Sequence, residues 1–170
     1  MESDDRMKNT DRKDILDALA DKGEWLKELD RETDRGAAVL MMAFIDHLLE
    51  LSLADVLVPG SSVHLSGFAS KVHWARALGI ISAAIEQDLF ALSEIRNKFA
   101  HQLHGLTFDT PAIAAVTNKF HVTGRIKTEA DTHRKKFEFT AVFVARYLVL
   151  RRKHLVAAKE PKGWRVSPEE

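Results

Sequence analysis

Residues 36–58, GAAVLMMAFIDHLLELSLADVLV, constrain the fold of this chain more than any other stretch. The run holds no proline, and Thr33 or Asp34 just ahead of it supplies a helix cap, so it predicts a single long helix. Asp46, His47, Glu50 and Asp55 interrupt it, which argues against a membrane span. A helix apolar on most sides as far as Leu53 must be enclosed by others. The expectation is therefore a central core helix in a cytoplasmic protein with no membrane contact. With 170 residues, the chain is long enough for one domain with a real core. It has no cysteine, which excludes disulfides and thiolate zinc sites. The first residues, MESDDRMKNTDRKDILDALA, are charged, so no signal peptide is expected.

The remaining segments also carry helical spacing. DRKDILDALADK places Ile15, Leu16 and Leu19 on one face, with Gly23 as a stop. Pro59, Gly60, Ser61 and Ser62 form a loop, after which GFASKVHWARALGIISAAI steps through Phe68, Val72, Ala75 and Leu78/Gly79. QDLFALSEIRNKFAHQL follows, ending before Gly105, and Thr110-Pro111 opens TPAIAAVTNKF as a cap followed by proline. ADTHRKKFEFTAVFVARYLVLRRKHLVAA reads as a long final helix. Its β-branched and aromatic FEFTAVFVARYLVL leaves a strand as the alternative, and with residues 122–126 around Gly124 it allows a short β-hairpin near 120–143. The expected architecture is an all-α, single-domain bundle of about five to seven helices. Residues 1–22 would form an acidic helical arm, 23–158 the helical regulatory domain and 159–170 a flexible tail.

Net charge is zero but unevenly spread: residues 1–55 hold 15 acids against 8 bases, and residues 125–165 hold 12 bases against 4 acids. The basic end could meet an anionic partner such as nucleic acid, or dock on the acidic end of this chain or of a second copy. The second reading is favoured, because phosphate binding needs several uncompensated cations. The candidate anion-binding residues are Arg134, Lys135, Lys136, Arg151, Arg152 and Lys153, in THRKKFEF and RRKHL.

EIRNKFAHQLH, residues 94–104, adds an arginine and two histidines to an amphipathic helix. Leu89, Leu92, Arg96, Phe99 and Leu103 recur at steps of three and four, which puts Arg96 on the core face. A guanidinium there needs a carboxylate, with Asp46 the first choice and Glu50 the second. The bland reading is a structural ion pair between Arg96 and Asp46. Asn97 and His101, four apart, stack on a neighbouring face.

Three segments in order, ETDRGAAVLMMAFIDHLLELSL, FASKVHWARALGIISAAIEQDLFALSEIRNKFAH and DTPAIAAV, resemble the mannitol operon repressor family of bacteria over residues 30–120. The residues that carry it are Asp34 to Ala37, the acid in the long apolar helix, Phe68 and Lys71, Ala77 to Gly79, Asp88 through to Arg96-Asn97, and Phe99 to His101. The resemblance implies an all-helical protein that regulates a sugar-alcohol operon, with no identified enzymatic activity. More distantly, Arg96-Asn97 with His101 resembles the arginine-to-histidine motif of HEPN helical domains, several of which are metal-independent ribonucleases. That likeness implies Arg96 clamping a phosphate, His101 transferring a proton, Asn97 orienting either, and a dimer bringing two motifs together.

A direct DNA reader needs a polar recognition helix or a basic arm, and the region of resemblance has neither. Glu86 and Asp88 would repel phosphate. The favoured reading is a regulator that acts through protein contacts, with itself as a homodimer or with another protein, and reads DNA alone less readily. His101 and His104 lie apart from His64 and His73, and no carboxylate stands three or four residues after His101, so no metal and no cofactor is expected. Trp25, Trp74 and Trp164 read as packing residues.

Overall fold

The computed structural model describes residues 29–57, 65–102, 104–125 and 131–156. The expected arm over 1–22, the loop at Pro59 to Ser62 and the tail over 159–170 lie outside the described residues, as do Trp25, His64, Leu103 and Trp164. After a helical end at residues 29–31 come six helices: α1 (Asp34–Ala54), α2 (Phe68–Ala77), α3 (Ala83–His101), α4 (Pro111–Thr117), α5 (His121–Arg125) and α6 (His133–Val156). The protein is an all-α bundle.

Thr33 caps α1, its hydroxyl accepting the Gly36 N–H at 3.0 Å. The helix packs on α2, α3 and α6, burying Met41, Met42, Ile45, Leu48 and Leu49. Each such side chain contributes roughly 1.5–3 kcal/mol on leaving water. Contrary to the expectation of enclosure on most sides, Val39, Leu40, Ala43, His47 and Glu50 form an exposed face. By length and composition α1 could cross a membrane, yet half of its most apolar window is buried against the other helices.

The third expected segment splits in two. α2 stops at Ala77, and a Schellman turn follows in which Gly79, at φ 68°, lets the Ile80 N–H reach the Ala75 carbonyl and its own N–H reach Arg76. Ser82 then caps α3 through the Ile85 N–H, four residues earlier than the apolar pattern suggested. Pro111 opens α4 as expected.

No hairpin forms over the described part of 120–143: residues 121–125 are helical, and 133–156 form one helix. The β-branched side chains of α6 do not alternate. Phe137, Thr140, Ala141, Val144, Ala145, Leu148, Val149 and Arg152 are buried, a repeat of three and four that only a helix can turn to one side. Phe99, Phe108 and Phe137 meet in the core with ring centroids 5.1 and 5.0 Å apart, joining α3, the following loop and α6.

α1 and α6 run in the same direction, and an ion pair closes each end of their contact. Near the helix starts, Arg134 reaches Asp34 at 3.0 Å; near their ends, Arg152 reaches Asp55 at 2.7 Å. Two acids and two bases from the oppositely charged regions of the sequence thus meet within one chain.

Candidate functional site

The buried stripe of α3 runs through Ile85, Asp88, Leu89, Leu92, Ile95 and Phe99. It passes through Ile95 where the sequence reading had Arg96. Neighbouring helical residues lie about 100° apart, so Arg96 falls at the edge of the stripe and is half-buried. Its expected partner is taken: the Lys71 ammonium of α2 lies 3.0 Å from one Asp46 oxygen and 3.2 Å from Glu50. Burial alone would push the Lys71 ammonium down, but the hydrogen bonds and charges of Asp46 and Glu50 outweigh it and hold the group above the ordinary lysine value. There is therefore no Arg96–Asp46 pair, and Arg96 makes no ion pair with any described residue.

The ionisable group that does occupy the core stripe is Asp88, whose side chain is 1% exposed. Its carboxylate accepts the backbone N–H of His121 at 2.7 Å and of Val122 at 3.0 Å, and one oxygen lies 3.3 Å from the His121 ring nitrogen Nδ1. A carboxylate from α3 thereby satisfies the first N–H groups of α5.

A second stripe on α3 runs from buried Ser93 and half-buried Phe90 to exposed Glu94, Asn97 and His101. With Phe68 and Ala69 from the start of α2 and with Arg96 and Lys98 on its flanks, it forms an open groove of about 620 Å³. Arg96, Asn97 and His101 are thus brought to one groove. Five residues along a helix turn about 140°, so Arg96 and His101 border different sides of it. Lys98 lies 3.4 Å from Glu94 with both side chains well exposed, a weak and screened contact. At the rim His73 tilts over Phe90, ring centroids 5.2 Å apart, and Glu86 lies 3.5 Å from His73 and 3.6 Å from Arg76. The sequence reading missed Phe90, Ser93 and Glu94 as site residues, although their spacing to Asn97 and His101 is the signal that would have found them.

Three of the six candidate anion-binding residues, Arg134, Lys135 and Arg152, are paired with carboxylates. Arg134 is enclosed by Asp34, Glu138 and the carbonyls of Leu29 and Glu32; burial opposes its charge, and the two carboxylates more than offset that. Lys135 bonds Asp131, which is held below its ordinary carboxyl value first by that hydrogen bond, and Lys136 bonds Asn118. Arg151 donates to the Gly79 carbonyl, and Arg152 is buried on Asp55. Lys153 is exposed and makes no ion pair with any described residue. Trp74, expected in the packing, is 37% exposed. No group of three metal-ligating side chains lies together among the described residues.

Set against known proteins, the chain matches no family model, no curated protein and no solved structure. What the site can do is therefore argued from its chemistry. It offers a guanidinium without an ion pair among the described residues, an amide, an imidazole and an apolar floor, all open to solvent along one side.

Proposed function

We propose that this chain is a bacterial transcriptional regulator of the mannitol operon repressor type that acts through protein contacts, with the α2–α3 groove as its contact face. The observation that carries the reading is the internal use of the α6 cations. Arg134, Lys135 and Arg152 are paired with carboxylates of the same chain and Arg151 is held on a carbonyl, which leaves fewer cations of this helix free to meet phosphates. The resemblance over residues 30–120 supplies the regulatory role. The test has two arms. Deleting the coding sequence in the native cell should raise transcription of the mannitol operon, while the purified protein should leave operator DNA unshifted at physiological salt. Unchanged transcription removes the regulatory reading, and an autonomous operator shift removes the protein-contact part.

A second reading is a metal-independent ribonuclease of the HEPN type, favoured by one observation: Arg96, Asn97 and His101 share a groove, and Arg96 is not tied up by Asp46. The divergence of Arg96 and His101 within one copy means that a second copy would have to complete the centre. On this reading single-stranded RNA is cut in the presence of chelator, leaving 2′,3′-cyclic phosphate ends, and His101→Ala abolishes the cut while the melting temperature holds.

A further inference from the structure

We infer that the α2–α3 groove binds a short acidic peptide segment of a partner protein, with a carboxylate seated on Arg96 and apolar side chains on Phe68 and Phe90. The inference rests on the protein-contact reading above and names the partner's chemistry.

Charge is the first argument. Arg96 is half-buried and permanently charged, yet it makes no ion pair with any described residue, whereas Lys71, Arg134 and Arg152 each hold one or two carboxylates. Shape is the second. Ala69, Asn97 and His101 are exposed, so a small ligand would keep much of its surface in water, while a peptide lays alternate side chains into an open groove and carries the rest outside. The spacing of charge along the ligand separates a peptide from nucleic acid. Glu94 lines the groove, and the negative C-terminal end of α3 lies at His101. A phosphodiester chain, charged at every residue, meets both repulsions. A peptide can put its one or two carboxylates at Arg96 and neutral groups elsewhere.

The experiment measures binding by fluorescence anisotropy on the full chain with three labelled probes: the peptide Leu-Glu-Asp-Leu-Phe-Glu-Asp-Leu, its Gln/Asn counterpart, and oligouridine. The acidic peptide should bind, weaken as salt rises, and lose about tenfold or more in affinity with Arg96→Glu, since a charged hydrogen-bonded pair is removed. Ala69→Trp, which fills the groove without touching the charge, should abolish binding equally, and unchanged melting temperatures would show both variants folded. Equal binding of the neutral peptide, no binding, or affinity unmoved by both variants overturns the inference. Oligouridine bound in preference to the acidic peptide, and lost with Arg96→Glu, overturns it in favour of nucleic acid. If operon transcription responds to deletion of the gene but not to Arg96→Glu, the groove inference fails and the regulatory reading stands.

Discussion

Asp55 sits where a carboxylate is least welcome, at the C-terminal end of α1, in the field of unsatisfied carbonyls and 1% exposed. Arg152 makes that position tenable from 2.7 Å away. Arg152→Met should therefore cost about 3 kcal/mol or more, read from urea unfolding, because it removes the ion-pair partner of a buried carboxylate. Adding Asp55→Leu to it should recover most of the loss, and a double variant as unstable as the single would remove this account. Lys71 behaves differently, since Asp46 and Glu50 stand partly in water. Its value in the folded chain is raised, so its stabilising contribution is complete below the unfolded lysine value of 10.5 and is lost as pH climbs through the folded value. Melting temperature followed from pH 9 upward should fall more steeply in the parent than in Lys71→Met, with a difference of about 1 kcal/mol near neutrality. The residue-level site was half legible in the sequence. Asn97, His101 and Arg96 do share a groove, but the stepping 92–96–99 and the stepping 92–95–99 are both helical, and the sequence reading followed the one through arginine. The more apolar Ile95 was the physical tie-breaker. Asp88 lay on the apolar stripe in plain view, yet nothing local to it announces that its partners are the backbone of a helix 33 residues on.

At the level of elements, Gly79 decides where α2 ends. It holds φ 68° with open space where a Cβ would stand, so Gly79→Ala introduces backbone strain and no clash. The expected cost is roughly 1–2 kcal/mol by thermal unfolding, with the helical circular dichroism unchanged. A neutral or stabilising result would show that the Schellman turn does not need its left-handed residue. The same glycine marks the break that the apolar pattern alone ran through, because Phe68, Val72, Ala75 and Leu78 keep their period into the turn. For α6 the misleading cue was composition. Valine and phenylalanine favour strands in isolation, but a period of three and four over 137–152 outweighs that preference once there is a helix surface to bury against.

Across the described bundle, two ion pairs join the oppositely charged regions along the α1–α6 contact. The Arg134 contact, with 26% exposure on both sides, should respond to salt, and the buried Arg152 contact should respond far less. Raising ionic strength is expected to lower unfolding free energy by up to about 1 kcal/mol in the parent and by clearly less in Arg134→Ala. Equal salt slopes in the two proteins would place the sensitivity elsewhere. The bundle class was legible from the dominance of helical spacing, and the internal docking of the charged regions from their opposite signs. The outward groove was not, since it depends on where the first turn of α2 comes to rest against α3.

The pairing of α1 with α6 also has a consequence in time. Its two clamps join residues 100 and 97 positions apart in the chain. During synthesis at about 5–20 residues per second, the greasiest helix of the protein emerges about five to twenty seconds before the helix that shields it. For that interval Met41, Ile45 and Leu48 have only α2 and α3 to cover them. Until α6 arrives, that face of α1 is the surface that a chaperone for exposed apolar helices would meet.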